Sequence, residues 1–141
     1  MKQSIVSLIF QLKTVCLSKE ESIREELGLS PAEFRGIIAL VPDSEVNGNI
    51  LSRKMGLSVS RGSRVIDKLI ENGYLKYSRN SEDKRAITVS LTDKGISIQR
   101  KINQIFDECE KSILKKMSSE EIEVFRNSLS KIGESFLVSS K

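Results

Sequence analysis

The chain has 141 residues, of which 38% are hydrophobic and 30% are charged, and its formal net charge is +4. This balance is typical of an ordinary globular domain with enough apolar residues for one core. The chain has no histidine, and its two cysteines, Cys16 and Cys109, are far apart. Zinc sites, Ser-His-Asp triads and Cys-His pairs are therefore excluded or disfavoured, and neither a catalytic site, a metal nor a cofactor is predicted.

The N-terminal residues predict one long amphipathic helix. Apolar residues recur at helical spacing from Ile5 onward, and Gly28 is a typical helix stop. A signal peptide is the alternative, but Lys13 interrupts the apolar run and Val15 is not the small residue that processing before a cysteine requires. We therefore expect a cytoplasmic protein without a membrane segment.

A second helix is predicted to begin at Pro31. Residues 29–34 combine a capping box, a proline at the first helical position and a pair of apolar residues spaced as a hydrophobic staple. We expect this helix to continue until Pro42 ends it.

Two short helices with almost no linker between them are predicted next. Asn47 is a candidate N-cap for the first, which Gly56 ends, and Ser58 is a candidate N-cap for the second, which ends near Gly73. Helices joined this closely are typical of a helix-turn-helix. Gly62 falls on the apolar, inward side of the second helix, where it would let the first helix approach closely.

The spacing of apolar residues changes from helical to alternating after Gly73. Residues 74–77 predict a first strand, and residues 87–91 predict a second strand with a period of two. Residues 79–85, which lie between them, are charged and rich in turn formers. The sequence therefore predicts a β-hairpin with an exposed tip.

Two further helices are predicted at the C-terminal end, the first capped by Thr92 and the second by a capping box over residues 118–121. Apolar residues of the last helix step by three and four, which makes a narrow seam suited to another helix. We expect a second copy of the chain to cover this seam and the stripe of the first helix; the alternative is packing within one chain. The expected dimer-interface residues are Ile5, Ile9, Leu12, Ile122, Phe125, Leu129, Ile132 and Phe136.

Positive charge is concentrated in one part of the chain. Residues 51–92 contain nine Lys and Arg against four Asp and Glu, net +5, which leaves 14 against 15, net −1, for the remainder. Such an asymmetry indicates a site for a polyanion. The alternative is a solvated helix face beside a charged hairpin that avoids edge pairing.

The run from Leu51 to Gly95 resembles the MarR family of bacterial transcription regulators. The resemblance is carried by D-K-L-x-x-x-G-Y-L at residues 67–75, D-x-R at residues 83–85 and L-T-x-x-G at residues 91–95. It implies a mainly α fold with a small β-hairpin wing in one domain over residues 1–141. The winged helix-turn-helix would occupy residues 28–95, flanked by dimerisation helices over 1–27 and 96–141. The family generally has an apolar residue at the position of Gly62.

The resemblance implies a transcription regulator that is not an enzyme. We expect a repressor that binds an inverted-repeat operator in double-stranded DNA as a homodimer, with a small aromatic effector as a further partner. The expected DNA-binding residues are Ser58, Ser60, Arg61, Ser63, Arg64, Lys68, Arg79, Asp83, Lys84 and Arg85.

Individual roles follow from side-chain chemistry and from the resemblance. Arg64 is the expected base reader, because a guanidinium can bind the O6 and N7 of guanine together. Ser58, Ser60 and Lys68 are expected at phosphates. The resemblance assigns Arg85 to the minor groove, with Asp83 bracing it.

Two alternatives from other classes remain. One is a redox-sensing regulator that uses Cys16, although a buried packing cysteine is favoured at this position because both tyrosines lie beside the wing. The other is a winged-helix module that binds protein in place of DNA.

Overall fold

The computed structural model describes residues 2–78 and 87–139, with side chains described as far as residue 135. Its helices are α1 (Ile5–Leu27), α2 (Pro31–Ile38), α3 (Gly48–Lys54), α4 (Val59–Glu71), α5 (Asp93–Leu114) and α6 (Ser119–Ser139). Its strands are β1 (Val46–Asn47), β2 (Leu75–Tyr77) and β3 (Thr88–Leu91). The chain divides into two compact units within α5, after Ile102.

The start of α2 follows the sequence prediction, but its end does not. Ser30 and Glu33 form the predicted capping box, with hydrogen bonds of 3.1 and 3.2 Å. The expectation that the helix continues to Pro42 is wrong, since it ends at Ile38. The carbonyl of Ile37, in the last turn of α2, and that of Leu40, beyond its end, accept hydrogen bonds from the Nε2 of Gln99 at 2.7 and 2.6 Å. A buried side chain of α5 thus supplies the partners that a further helical turn would have provided.

The helix-turn-helix is confirmed. The Asn47 side chain caps α3 by accepting from the amide of Asn49 at 2.8 Å, and the Ser58 hydroxyl caps α4 by accepting from the amide of Arg61 at 3.3 Å. Gly56, between the helices, has a φ of 72°, which glycine adopts without strain.

The sheet has one strand more than the sequence predicted. Its order is β1-β3-β2 with antiparallel pairing, so that Val46 lies opposite Val89 and Leu75 opposite Leu91. The predicted tip of the hairpin, residues 79–85, lies outside the described residues. The predicted class, mainly α with a small antiparallel wing sheet, is confirmed.

The core of the first unit lies among α2, α3, α4, the N-terminal part of α5 and the sheet, and α1 contributes only its C-terminal part. Ile23 is the only buried residue of α1, a helix that the structure describes in full. The most deeply buried large residues are Ile37, Leu51, Met55, Leu69, Leu75, Val89 and Ile102.

The second unit contains the end of α5 and α6. The predicted capping box at Ser118 and Glu121 is present, with hydrogen bonds of 3.0 and 3.2 Å, and Arg126 pairs with Glu110 at 3.3 Å. An apolar groove between the two helices is lined by Ile113, Leu114, Met117, Ile122, Phe125 and Leu129. No helix within the described residues is long and apolar enough to cross a membrane.

Candidate nucleic-acid interface

The outward side of α4 carries every predicted contact residue of this helix. Ser60, Arg64 and Lys68 are exposed and follow one another at intervals of four, so they form a single stripe. Arg61 and Ser63 are exposed on the flanks, while Gly62, Ile66 and Leu69 are buried on the opposite side. The helix therefore has one packed side and one polar side with three cations.

Gly62 sets the distance between α3 and α4. A Cβ at this position would overlap the Oγ and Cβ of Ser52 and would lie 3.0 Å from its Cα. Ser52 is itself buried, and its hydroxyl donates to the carbonyl of Gly48 at 2.8 Å. The predicted close approach of the two helices at Gly62 is confirmed.

Ser58 has a structural role at the start of α4. Its hydroxyl oxygen accepts the hydrogen bond from the Arg61 amide and lies 3.5 Å from the hydroxyl of Ser60. The capping interaction uses only the acceptor side of the oxygen, so the hydroxyl hydrogen can still be donated. The expected phosphate contact at Ser58 is thus compatible with its capping role and stays a prediction.

The C-terminal end of α4 is joined to α2 and α5. The side-chain amide of Asn72 donates to the Oε2 of Glu33 at 3.0 Å, and Glu33 is 5% exposed. The ammonium of Lys94 donates to the backbone carbonyl of Asn72 at 2.7 Å and lies 4.6 Å from the ring centre of Tyr74. The sequence predicts Glu33 only as part of a capping box. Its hydrogen bond with Asn72 could not be predicted, because residues so far apart in the sequence produce no local pattern.

A further contact connects α4 with the wing strand β2. The hydroxyl of Tyr77 donates to Asp67 at 3.3 Å. Desolvation of the phenol, followed by the charge of Asp67 and this hydrogen bond, raises the pKa of Tyr77 above its ordinary value. Tyr77 therefore stays neutral and able to donate at physiological pH. The predicted wing residues Arg79, Asp83, Lys84 and Arg85 lie outside the described residues.

The predicted dimer-interface residues leave apolar surface uncovered within each unit. In α1, Ile5 is 71% and Leu12 50% exposed, while Ile9 is half-buried. In α6, Phe125 and Leu129 are exposed, and Ile122 and Ile132 are half-buried. The side chain of Phe136 lies outside the described part of the chain.

Cys16 differs from the sequence-based interpretation. The sequence favours a buried packing residue, but in the single chain Cys16 is exposed. The reason is that α1 reaches the core of the first unit only near Ile23, well beyond Cys16. Tyr74 is buried near Lys94 and Tyr77 is bonded to Asp67, so both tyrosines have other partners.

A tight helix-turn-helix, a cationic outward side on its second helix and an antiparallel sheet beside it together define a winged helix-turn-helix protein. The family model described as "Transcriptional regulator SarA/Rot" matches residues 18–102. The chain belongs to this family of transcriptional regulators, and its fold is that of the MarR-type regulators.

Individual proteins agree with this assignment. The HTH-type transcriptional regulator SarZ of Staphylococcus haemolyticus is 29% identical over 80 residues, which cover 57% of this chain and 54% of SarZ. The chain thus spans about half the length of this curated relative.

Two solved structures share the fold. FabT of Streptococcus pneumoniae, solved in complex with DNA, has a TM-score of 0.80 and 23% identity over 96% of this chain and 95% of FabT. Wild-type MarR from E. coli, solved in its apo form, has a TM-score of 0.73 and 18% identity over 94% of this chain and 98% of MarR.

Proposed function

We propose that this protein is a homodimeric repressor that binds an inverted-repeat operator in double-stranded DNA through α4. The observation that carries the proposal is the exposed stripe of Ser60, Arg64 and Lys68 on a helix whose other side is buried. In helix-turn-helix proteins the second helix enters the major groove with its N-terminal residues at the base edges. The complex of the structurally similar FabT with DNA supports this proposal.

The positions of Ser60, Arg64 and Lys68 along α4 indicate different roles in DNA binding. Ser60 and Arg64 belong to the first two turns of α4, whereas Lys68 lies about 12 Å beyond Ser60 along the axis. Arg64 is therefore the proposed base reader, and Lys68, nearer the rim of the groove, is proposed to bind phosphate. Arg61 and Ser63 flank the stripe and add contacts on either side.

Charge supports DNA as the partner more than a second protein. The net charge of residues 51–92 is +5 against −1 elsewhere, so the DNA-binding part attracts a polyanion while the rest does not. The wing residues Arg79, Lys84 and Arg85 belong to this positive segment, and Arg85 is proposed to contact the flanking minor groove with Asp83 as its brace.

The dimer is proposed to form through the terminal helices. Apolar side chains of α1 and α6 are left exposed or half-buried in their own units, and surfaces of this kind on monomeric proteins mark interaction sites. A two-fold dimer presents two copies of α4, which is why the operator is expected to be an inverted repeat with half-sites about 10 base pairs apart, centre to centre.

The test is selection of bound duplexes from fragmented genomic DNA, followed by anisotropy titration of the enriched sequence. We expect an inverted repeat whose affinity falls steeply with salt, and a protein dimer by sedimentation at micromolar concentration. Insertion of five base pairs between the half-sites should reduce binding to the non-specific level. Lys101→Ala, which removes one exposed positive charge outside the proposed interface, is the control and should leave the affinity nearly unchanged.

An enriched site without two-fold symmetry, or one that tolerates the insertion, would contradict the proposed geometry. If the protein enriched no duplex at all, DNA binding itself would be contradicted. The alternative, a winged-helix module that binds protein, would then be favoured.

A further inference from the structure

One apolar residue stands within the polar side of α4. Val59 is the first residue of this helix and is 52% exposed. The structure describes all of α4, and the other exposed residues of this helix are serine, arginine, lysine, aspartate or glutamate. Packing within the first unit therefore leaves about half of the Val59 surface in contact with water.

The surroundings hold Val59 in one place. The preceding residue, Ser58, caps the helix, so the first turn is ordered. Valine is β-branched and in a helix has one strongly preferred side-chain rotamer. Val59 also lines a cleft beside α3, and the same cleft is lined by Asn49, Ser63, Asp67 and Ile87. An inflexible apolar group thus borders a cleft that has both polar and apolar side chains.

We propose that Val59 packs against the C5-methyl group of a thymine in each operator half-site. This inference rests on the proposed function, which places the first turn of α4 in the major groove. Valine has no side-chain hydrogen-bond donor or acceptor, so it cannot read the polar edges of bases. The thymine methyl is the apolar group that the major groove presents, and contact with it excludes water from both partners.

The neighbouring residues fit this contact. Ser63 and Asn49 line the same cleft and can both donate and accept hydrogen bonds, which suits the polar groups that surround a thymine methyl. Because the Val59 side chain has little rotamer freedom, its contact with a base orders few additional bonds. Val59 is therefore proposed as a determinant of sequence specificity and not only as a filler of the interface.

The experiment uses the operator obtained by selection with the full-length protein. Each thymine is replaced in turn by deoxyuridine, which lacks only the C5-methyl group, and the affinity is measured by anisotropy. We expect one position in each half-site at which the replacement weakens binding by about fourfold, the factor that burial of one methyl-sized group gives. This arm needs no protein variant and is independent of folding.

The same series is then measured with Val59→Ala and with Val41→Ala. Val41 is 62% exposed and lies outside α4, so it is a matched truncation at an exposed valine. Val59→Ala should bind the thymine and deoxyuridine operators equally well at that position while keeping its sensitivity at the other positions. Val41→Ala should retain the fourfold preference of the wild type.

The inference is overturned if no thymine methyl affects binding, or if Val59→Ala keeps the full preference at every thymine. A wild-type protein that selects no duplex overturns the proposed function and this inference together. Selective DNA binding without a methyl preference overturns this inference alone, so the two failures are distinguishable.

Discussion

Gly62→Ala is expected to destabilise the protein even though alanine is the better helix former. A Cβ at Gly62 would overlap the Oγ and Cβ of Ser52 and lie 3.0 Å from its Cα. Ser52 is 1% exposed, and its hydroxyl is bonded to the carbonyl of Gly48. Because the Cβ of Ser52 is one of the overlapping atoms, rotation of the side chain cannot remove the overlap. Either α3 or α4 has to move.

The size of the effect follows from two opposing contributions. Overpacking of a close contact costs about 1 to 3 kcal/mol, and a backbone shift places this case near the upper end. Replacing a glycine in a helix interior by alanine stabilises the helix by about 1 kcal/mol. We therefore expect the free energy of unfolding to fall by about 2 kcal/mol.

Urea denaturation followed by circular dichroism measures this change, at one fixed protein concentration because the stability of the proposed dimer would depend on concentration. Gly133→Ala is the matched control, since a Cβ there meets no atom of the described side chains within 4 Å. It should leave stability unchanged or raise it by up to about 1 kcal/mol. Ser52→Gly in the Gly62→Ala background removes both overlapping side-chain atoms and should restore part of the loss. A Gly62→Ala protein as stable as the wild type would refute the reasoning, as would the absence of any coupling between the two positions.

Three further predictions concern α4 and its supports. Arg64→Ala should cost about 1 to 3 kcal/mol of specific affinity and relax the base preference at one position per half-site. Lys68→Ala should weaken binding to all DNA sequences alike and reduce the dependence of affinity on salt. Identical behaviour of the two variants in anisotropy titrations would contradict the division of roles. Asn72→Ala removes the hydrogen bond to the Oε2 of the buried Glu33 carboxylate, whose Oε1 keeps its bond from the Ser30 amide. It should lower the free energy of unfolding by about 1 to 3 kcal/mol in urea denaturation, while Asn127→Ala, at an exposed position of α6, should change it little. Tyr77→Phe should cost at most about 1 kcal/mol at pH 7, since its hydrogen bond is exposed. Because the pKa of Tyr77 is raised in the folded state, the stabilisation by its hydrogen bond is present below pH 10 and is lost as the pH rises through the folded-state pKa. The difference in the free energy of unfolding between variant and wild type should therefore vanish in urea titrations at alkaline pH. A difference that stays constant with pH would contradict this role of the hydrogen bond.

Features specified by neighbouring residues were predictable from the sequence. The capping serines Ser30, Ser58 and Ser118 were identified because an N-cap and its partner amide lie three residues apart. The sequence predicts that a helix packs closely at Gly62, because a glycine on the apolar side of a helix is typical of close packing against a neighbouring element. The partner atom in Ser52 could not be named, since helical spacing gives a face but not the register of the opposing helix.

Features that depend on distant residues were not predictable. The strand β1 has only two residues, and it is a strand only because it pairs with β3, more than 40 positions away. The early end of α2 likewise depends on Gln99, whose amide bonds the carbonyls of Ile37 and Leu40. Neither pairing produces a periodic or capping pattern in the local sequence.

Exposure of apolar residues was also only partly predictable. Ile50, Leu51 and Met55 are apolar residues at helical spacing, but Ile50 is 47% exposed, whereas Leu51 and Met55 are buried. Periodicity identifies which residues share a side of a helix, but a short helix buries only the part of that side that meets a neighbour. The same reasoning explains why the apolar stripe of α1 continues beyond the residues that its own unit covers.

The supports of α4 bear on how it would read DNA. Its start is fixed by the Ser58 cap and the contact at Gly62, and its end is fixed by the bonds of Asn72 with Glu33 and Lys94. A helix held at both ends loses little backbone freedom on binding, so most of the ordering cost falls on its side chains. Long cationic side chains lose the most rotamer freedom and can adapt to phosphate positions, whereas short or branched ones lose little. The stiff residues near the start of α4 can therefore hold a fixed register on the bases. The long cations contribute attraction that depends on salt, and Arg64 adds to this its proposed contact with guanine.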